Sequence, residues 1–246
     1  MIIDFKNKVA LVTGGTMGIG KAIADALYDN GASLIITGVE KELVDQINAE
    51  KNPRKACHYV DFSSDEGTAA FLLLLGQFDK IDILVNNAGI NIVKPNRETS
   101  IGDFNIMNSI NLKAPYLLAR EVSKLMIKNH YGRIVNISSI WSVKTRHSRS
   151  LYTTTKSALV GLTKTLSVEL GEHGILVNAV GPGFTMTELT IKTNTPEDLV
   201  RLAELVPVKR LAQPAEIANF VAFLSSELNT YITGQNLIID GGFTNV

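Results

Sequence analysis

Tyr152 and Lys156 are the side chains in this sequence best suited to move a proton. They stand four residues apart at the start of a helical pattern, so they share one face about one turn apart. A phenol titrates near pH ~10 in water, too high for acid–base work at neutrality. An ammonium one turn away favours the phenolate and lowers that value. A drop of about 3 units takes roughly 4 kcal/mol of differential stabilisation, which close charges in a partly dry cleft supply. Standing alone, the pair is equally a surface tyrosine lying over a lysine.

A second group of residues points to a phosphate. Thr13-Gly14-Gly15-Thr16-Met17-Gly18-Ile19-Gly20 falls between an apolar run and a helical pattern. Glycines there let the backbone turn tightly and approach a pyrophosphate, and the helix start then offers it free N–H groups. A lone glycine pattern is weak, but its place directly after an N-terminal strand favours a dinucleotide site. The spacing is Gly-x-x-x-Gly-x-Gly, not the usual Gly-x-Gly-x-x-Gly.

Both groups need a scaffold, and the sequence describes one. Apolar, β-branched runs occur at Val9–Thr13, Leu34–Thr37, Ala56–Val60, Ile81–Val85, Arg133–Ile137, Ile175–Val180 and Leu237–Asp240. Near-continuous apolarity predicts strands buried on both faces, as in a parallel sheet. Between them lie helical stripes: Ile19, Ile23, Ala26 and Leu27, stopped by Asn30-Gly31, and Leu159, Leu162, Leu166 and Leu170, stopped by Gly171 to Gly174. Thr195-Pro196-Glu197-Asp198 and Gln213-Pro214 read as helix starts. The expected fold is α/β: a single-domain, Rossmann-type, doubly wound parallel sheet of about seven strands with helices on both faces, spanning residues 1–246.

Composition narrows the partners. The chain has 246 residues, 45% hydrophobic and 20% charged, with 24 basic and 24 acidic side chains. There is no basic excess to neutralise phosphates, which argues against nucleic acid. The charge-free stretch Gly67–Phe78 is too short to span a bilayer, and Met1 to Lys8 has no apolar core of a signal peptide. A single cysteine, Cys57, excludes an internal disulfide and a cysteine-cluster metal site. No metal and a cytoplasmic location are expected.

The glycine spacing resembles that of the short-chain dehydrogenase/reductase family in its classical form, and the likeness runs through essentially the whole chain. It continues at Asp61, Asn86-Asn87-Ala88-Gly89, Asn111, Ser138-Ser139, Tyr152-x-x-x-Lys156, Pro182-Gly183 and Asp240-Gly241-Gly242. It is nearest the 3-oxoacyl-thioester (acyl-carrier-protein) reductase-like branch, a layout shared by many alcohol and sugar dehydrogenases. The resemblance implies a catalytic set of Asn111, Ser139, Tyr152 and Lys156. Tyr152 would exchange a proton with the substrate oxygen and Ser139 would hold that oxygen. Lys156 would lower the tyrosine pKa and bond the nicotinamide ribose, and Asn111 would position a relay water. Ser138 is expected to be a strand-end hydroxyl. NADP or NAD would lie on Gly14, Thr16, Met17, Gly18, Ile19 and Gly20. Asp61 and Phe62 would face its adenine, and Asn87, Ala88 and Gly89 its ribose. Pro182, Gly183, Thr185 and Thr187 would surround the nicotinamide. Asn86 would brace strands, and residues 184–210 would form a substrate lid. A homotetramer is implied, joined through the helices after Asp103 and Tyr152 and through the last strand.

The choice of cofactor stays open. Gly38 stands where a 2′-hydroxyl-binding carboxylate would end the second strand, and this absence tips the balance slightly to NADP. Val39 and Met17 occupy the positions where a basic residue would favour the 2′-phosphate. Glu40 would oppose that phosphate, while Thr37 and Lys41 could assist it. Lys144, Arg146, His147 and Arg149, beside Trp141, either attract an anionic or thioester-linked substrate or form a solvated loop face. Lys124, Lys128, His130 and Arg133 either form a carrier-protein patch or complement helix ends. The Leu72–Leu75 run is expected to be a buried helix face or an interface. Three functions follow. The first is carbonyl–alcohol interconversion on a small molecule, including 3-oxoacyl thioesters. The second is oxidation of a sugar or polyol. The third, a non-catalytic nucleotide sensor or assembly subunit, is disfavoured by the intact catalytic set.

Overall fold

The seven apolar runs become seven strands in the computed structural model, which describes residues 2–246. They are β1 (Val9–Val12), β2 (Ser33–Gly38), β3 (Lys55–Tyr59), β4 (Ile83–Asn86), β5 (Gly132–Ile137), β6 (Ile175–Pro182) and β7 (Asn236–Ile239). All pair in parallel, in the order β3-β2-β1-β4-β5-β6-β7. The order reverses between β1 and β4, in register at Val12 and Val85. At such a switch point the strand ends diverge and leave a crevice for a ligand.

Side-chain alternation divides the core into two layers. On one face Ala10 and Val12 of β1 pack with Ile23 and Leu27 of α1 (Gly18–Asp29) and with Ile217 and Val221 of α9 (Pro214–Ser225). On the other, Leu11, Ile35 and Leu84 meet Phe71 and Leu75 of α3 (Asp65–Leu75), Leu118 and Val122 of α5 (Ala114–Lys128), and Leu170 of α6 (Ser150–Leu170). The leucine run of α3 is thus a buried face, with Leu73 alone turned fully outward. Gly31, at φ +105°, ends the α1 turn in a conformation that favours glycine.

Three further helices start as their residues predict or flank the site. α8 (Pro196–Glu204) and α9 both begin with reciprocal capping boxes, Thr195 with Asp198 and Gln213 with Glu216. α7 (Glu188–Thr193) begins at the Thr187 cap. α2 (Lys41–Ala49) joins β2 to β3. The helix expected after Asp103 is interrupted: α4 (Ile101–Asn108) passes through a π-turn, Ser109–Lys113, before α5 begins. The extra residue in that turn carries Asn111, and π-turns commonly mark functional positions.

Arg133 does not join Lys124 and Lys128 on a surface patch. It is 7% exposed, and its guanidinium donates to the carbonyls of Gly132, Gly174, Ser226 and Asn229. A strand buried on both faces leaves its side chain no route to solvent, so it satisfies carbonyls instead. Among the described residues no helix is long and apolar enough to cross a membrane. No group of three or more His, Cys, Asp or Glu among them could hold a metal.

Candidate active site

Six strand ends deliver the site residues. After β1 the chain passes through Gly14 and Gly18 at φ +62° and +55°, values that glycine takes without strain. At Gly20 a Cβ would stand 2.1 Å from the Gly14 carbonyl oxygen and 2.3 Å from Asn87 Nδ2, so no side chain fits. The turn is tied to the end of β4. Thr13 Oγ1 accepts from the backbone N–H groups of Asn87 and Ala88, both at 3.0 Å. Asn87 Nδ2 donates to the carbonyls of Thr13 (2.9 Å) and Gly14 (3.1 Å). The amide nitrogen of Asn87 therefore holds the turn and not a ribose, because two turn carbonyls would otherwise lack donors.

The first turn of α1 fits an oxyanion. Its N-cap, Met17, makes no side-chain cap bond, and the N–H of Gly18 donates to Glu188 Oε2 at 3.1 Å. A carboxylate from the start of α7 thus sits where a pyrophosphate oxygen would be held. Ile19 packs partly buried beneath this turn.

The end of β2 differs from expectation. Gly38 leaves room, but Thr16 fills it: a Cβ on Gly38 would lie 2.6 Å from Thr16 Cγ2. Thr37 is 1% exposed, and its Oγ1 accepts from Gly14 N at 3.1 Å, so its hydroxyl serves the glycine turn and not a 2′-phosphate. Lys41, Glu40, Val39 and Met17 are exposed around this strand end.

At the end of β3, Asp61 accepts from Ser63 N (2.8 Å) and Ser63 Oγ (2.7 Å), while Ser64 caps α3. Asp61 is thus free of the helix cap. The Phe62 ring does not face an adenine; it is buried against Phe71 edge-on, at 6.1 Å between centroids. It lies in the connection between β3 and α3 and joins the core layer of Leu11, Phe71 and Leu75. After β6, Pro182 and Gly183 lead to Thr185, whose Oγ1 donates to the Gly183 carbonyl at 3.1 Å and keeps lone pairs for a carboxamide. Thr187 is engaged as the α7 cap, accepting from Thr190 N.

The predicted catalytic set comes together. Lys156 is 4% exposed, and its Nζ donates to the Ile137 carbonyl at 2.7 Å. A Cβ on Gly89 would stand 3.4 Å from Lys156 Nζ and 3.3 Å from Asn111 Oδ1, which places the loop after β4 over both. Asn111 pins that loop: Oδ1 accepts from Ile90 N and Nδ2 donates to Ile90 O, each at 2.9 Å, with a further bond from Nδ2 to Thr155 Oγ1 at 3.2 Å. Ser139 is 6% exposed at the end of β5, and its Oγ accepts from Trp141 N at 3.2 Å. Ser138 is the strand-end hydroxyl expected, donating to the Lys156 carbonyl at 3.4 Å. Asn86 braces β4 against β5 through Asn136 at 2.8 Å.

The electrostatics differ from the simplest expectation. Burial pushes Lys156 down to about 8. Burial also pushes Tyr152 above the ordinary phenol value, against a downward pull from the Ser139 hydroxyl and the charge of Arg149. Lys156 lies 5.7 Å from the Tyr152 ring centroid with its ammonium on Ile137, so the chain alone does not lower the phenol through its lysine. Arg149, one of the four basic residues for which the sequence left an anionic-substrate site or a solvated loop face open, does neither. It is 9% exposed, 5.7 Å from the Trp141 ring centroid, and Trp141 packs edge-on against Phe184 and Phe243. Thr13, Thr155 and Glu188 were also unforeseen, since each acts through a partner distant in sequence.

The chain matches the family described as enoyl-(acyl carrier protein) reductase over residues 14–244. It is 40% identical over 248 residues to the 3-oxoacyl-[acyl-carrier-protein] reductase FabG of Aquifex aeolicus, covering 98% of this chain and 99% of that protein. The corresponding FabG of Rickettsia bellii is 39% identical over 241 residues, 98% of each. The chain belongs to the short-chain dehydrogenase/reductase family. A gluconate 5-dehydrogenase of that family from Burkholderia cenocepacia, solved with NADP and tartrate, superposes with a TM-score of 0.89 at 28% identity, covering 99% of this chain and 97% of that one. As a short-chain dehydrogenase/reductase, the protein is an NAD(P)-dependent oxidoreductase that interconverts a carbonyl and an alcohol. The fit to a dinucleotide rests on the turn itself: the Gly20 contact that excludes a side chain, and the Gly18 N–H that takes a carboxylate.

Proposed function

We propose that the protein reduces the ketone of a 3-oxoacyl thioester with NADPH, in the cytoplasm and as a homotetramer, using Tyr152 as the proton donor. What supports this reading is that Asn111 bonds Thr155 of α6, Lys156 and Asn111 both lie by Gly89, and the Ser139 hydroxyl acts on Tyr152, in a chain 40% identical over its length to a 3-oxoacyl reductase. NADPH supplies the hydride when bound along the ends of β1 and β4. Gly14, Gly18, Gly20 and Thr16 would form its phosphate turn, Asp61 and the Phe62 backbone would meet the adenine, and Thr185 and Gly183 would meet the nicotinamide side. Ser139 holds the ketone oxygen, and Tyr152 gives it a proton as negative charge develops there. The lowered pKa of Lys156 suits it to refill the tyrosine from solvent near neutrality. The missing carboxylate at Gly38 supports NADP over NAD, and residues 184–210 close over the substrate as a lid.

A second reading, oxidation of a sugar acid, is favoured by the likeness to gluconate 5-dehydrogenase. The test is initial rates with NADPH and NADH against acetoacetyl-CoA, and with NADP+ against gluconate, using Tyr152→Phe as control. Thioester turnover with NADPH that the substitution abolishes is expected. Tyrosine-dependent turnover of gluconate alone moves the protein to the second reading, and turnover that survives Tyr152→Phe overturns the mechanism.

A further inference from the structure

We propose that Arg149 is a second cation of the proton-transfer site, stabilising the Tyr152 phenolate from one helical turn before it as Lys156 stands one turn after. The proposal rests on Tyr152 being the proton carrier of the preceding reading, and it goes beyond the four residues of that set.

The guanidinium of Arg149 is an unusual group to bury. The residue is 9% exposed, and its Nε and Nη1 have no hydrogen-bond partner among the described residues. A buried donor without an acceptor is destabilising, and arginine cannot escape by losing its proton. Such an arrangement persists where something compensates. The other arginine buried in this fold is satisfied, since Arg133 meets four carbonyls, and the exposed Arg210 pairs with Glu216. Arg149 meets only the Trp141 ring, with its centroid 5.7 Å away.

The neighbours decide what the charge is for. Arg146, 5.2 Å from the same ring, repels it. Its one attractive electrostatic neighbour is the ionised form of Tyr152, and the two act on each other reciprocally. The spacing is i to i+3 at the start of α6, which puts both side chains on one face. The other groups facing Tyr152 are the Ser139 hydroxyl from the end of β5 and Lys156 from the same helix. Asn111, from the π-turn, is neutral. A guanidinium already bonded to a carboxylate would present little net charge to the phenol. This one is unneutralised, and both orphan nitrogens are closed to solvent, so the field and not a bound ligand is what it offers.

The consequence is a tyrosine whose phenol feels the Arg149 charge from one turn before it, while the Lys156 ammonium rests on the Ile137 carbonyl. An opposite charge close by in a partly dry site moves a pKa by one unit or more. Arg149 makes no side-chain cap bond at the start of α6, so replacing it leaves the helix start intact.

The experiment is an ultraviolet difference titration of tyrosinate, each protein measured against its own Tyr152→Phe counterpart. Wild type, Arg149→Met and Arg149→Lys are compared, with circular dichroism and NADPH fluorescence titration confirming the fold. The midpoint for Tyr152 is expected to rise by about one pH unit in Arg149→Met and to return most of the way in Arg149→Lys. Below the midpoint, kcat/KM for oxidation of 3-hydroxybutyryl-CoA then falls by up to about tenfold, and reduction of acetoacetyl-CoA, which leaves the phenolate behind, falls with it. An unmoved midpoint in folded Arg149→Met overturns the proposal, whether or not activity falls, and points to packing. A KM that rises only for an anionic substrate, with the midpoint fixed, assigns Arg149 to ligand binding instead. Activity that survives Tyr152→Phe defeats the underlying reading, a failure distinct from either.

Discussion

Lys156→Met should abolish turnover and yet make the protein more stable at neutral pH. The lysine is 4% exposed, and burial lowers it from 10.5 to about 8. Below the folded value both folded and unfolded chains carry the charge, so the whole desolvation cost is present. At about pH 7 it amounts to roughly 3 kcal/mol, from 1.36 kcal/mol per unit. Removing the ammonium also strips the Ile137 carbonyl of its donor, worth about 1 kcal/mol. The net expected gain is about 2 kcal/mol, since methionine fills similar apolar volume. The sign with pH follows from linkage: between the folded and unfolded values the unfolded chain binds more protons, so wild-type stability rises with pH. The advantage of the variant should therefore shrink to near zero by about pH 9.5. Guanidinium denaturation at fixed protein concentration, followed by the fluorescence of Trp141, reads both values. A variant less stable than wild type at neutrality, or a difference that does not change with pH, would refute the desolvation argument.

Three other substitutions probe separate parts of the site. Ser139→Ala removes the hydroxyl that pulls Tyr152 down and that we propose holds the substrate oxygen, so kcat should fall about 10²-fold and the oxidation pH profile should move to higher pH. Glu188→Gln removes the charge that occupies the Gly18 N–H, and the KM for NADPH should drop several-fold with little change in kcat; an unchanged KM would mean the carboxylate does not compete there. Gly38→Asp alone should weaken both cofactors, because its side chain meets Thr16, whereas Gly38→Asp with Thr16→Ala should bind NADH in preference; Kd values for the two nucleotides distinguish these outcomes.

What could be read beforehand follows from how local each signal is. Seven apolar runs announced seven strands because a sheet covered on both faces needs apolar residues at every position. Tyr152 and Lys156 were legible because both lie on one helix, where spacing alone fixes their geometry. Phe62 was misplaced because the same β3–α3 connection serves the core and the crevice, and spacing does not say which way one ring turns. Thr37 and Asn87 looked like ligand contacts because hydroxyls and amides at strand ends serve turns and ligands equally well. The π-turn at Ser109–Lys113 left no mark, since Ser-Ile-Asn-Leu-Lys suits an ordinary helix. Glu188 and Gly18 lie 170 residues apart and meet only in the folded chain.

Arg149 shows the same limit with a larger consequence. Lys144, Arg146, His147 and Arg149 are four basic-capable side chains in one run, which attracts an anionic substrate or forms a solvated loop face with about equal ease. The fold treats them differently. Lys144 reaches the carbonyls of Phe243 and Val246, Arg146 and His147 stay exposed, and Arg149 alone turns inward. The difference arises because Arg149 is the N-cap of α6, so its direction is set by the start of the helix that carries Tyr152. A cation fixed at the start of the helix that carries the phenol keeps its distance from it more firmly than a loop cation could. The two buried cations, Lys156 and Arg149, both weaken the fold, and neither carries a carboxylate partner that would offset the loss. A centre that tolerates two such charges on one helix is built around an anion that appears only during turnover, and Tyr152 is the group positioned to become it.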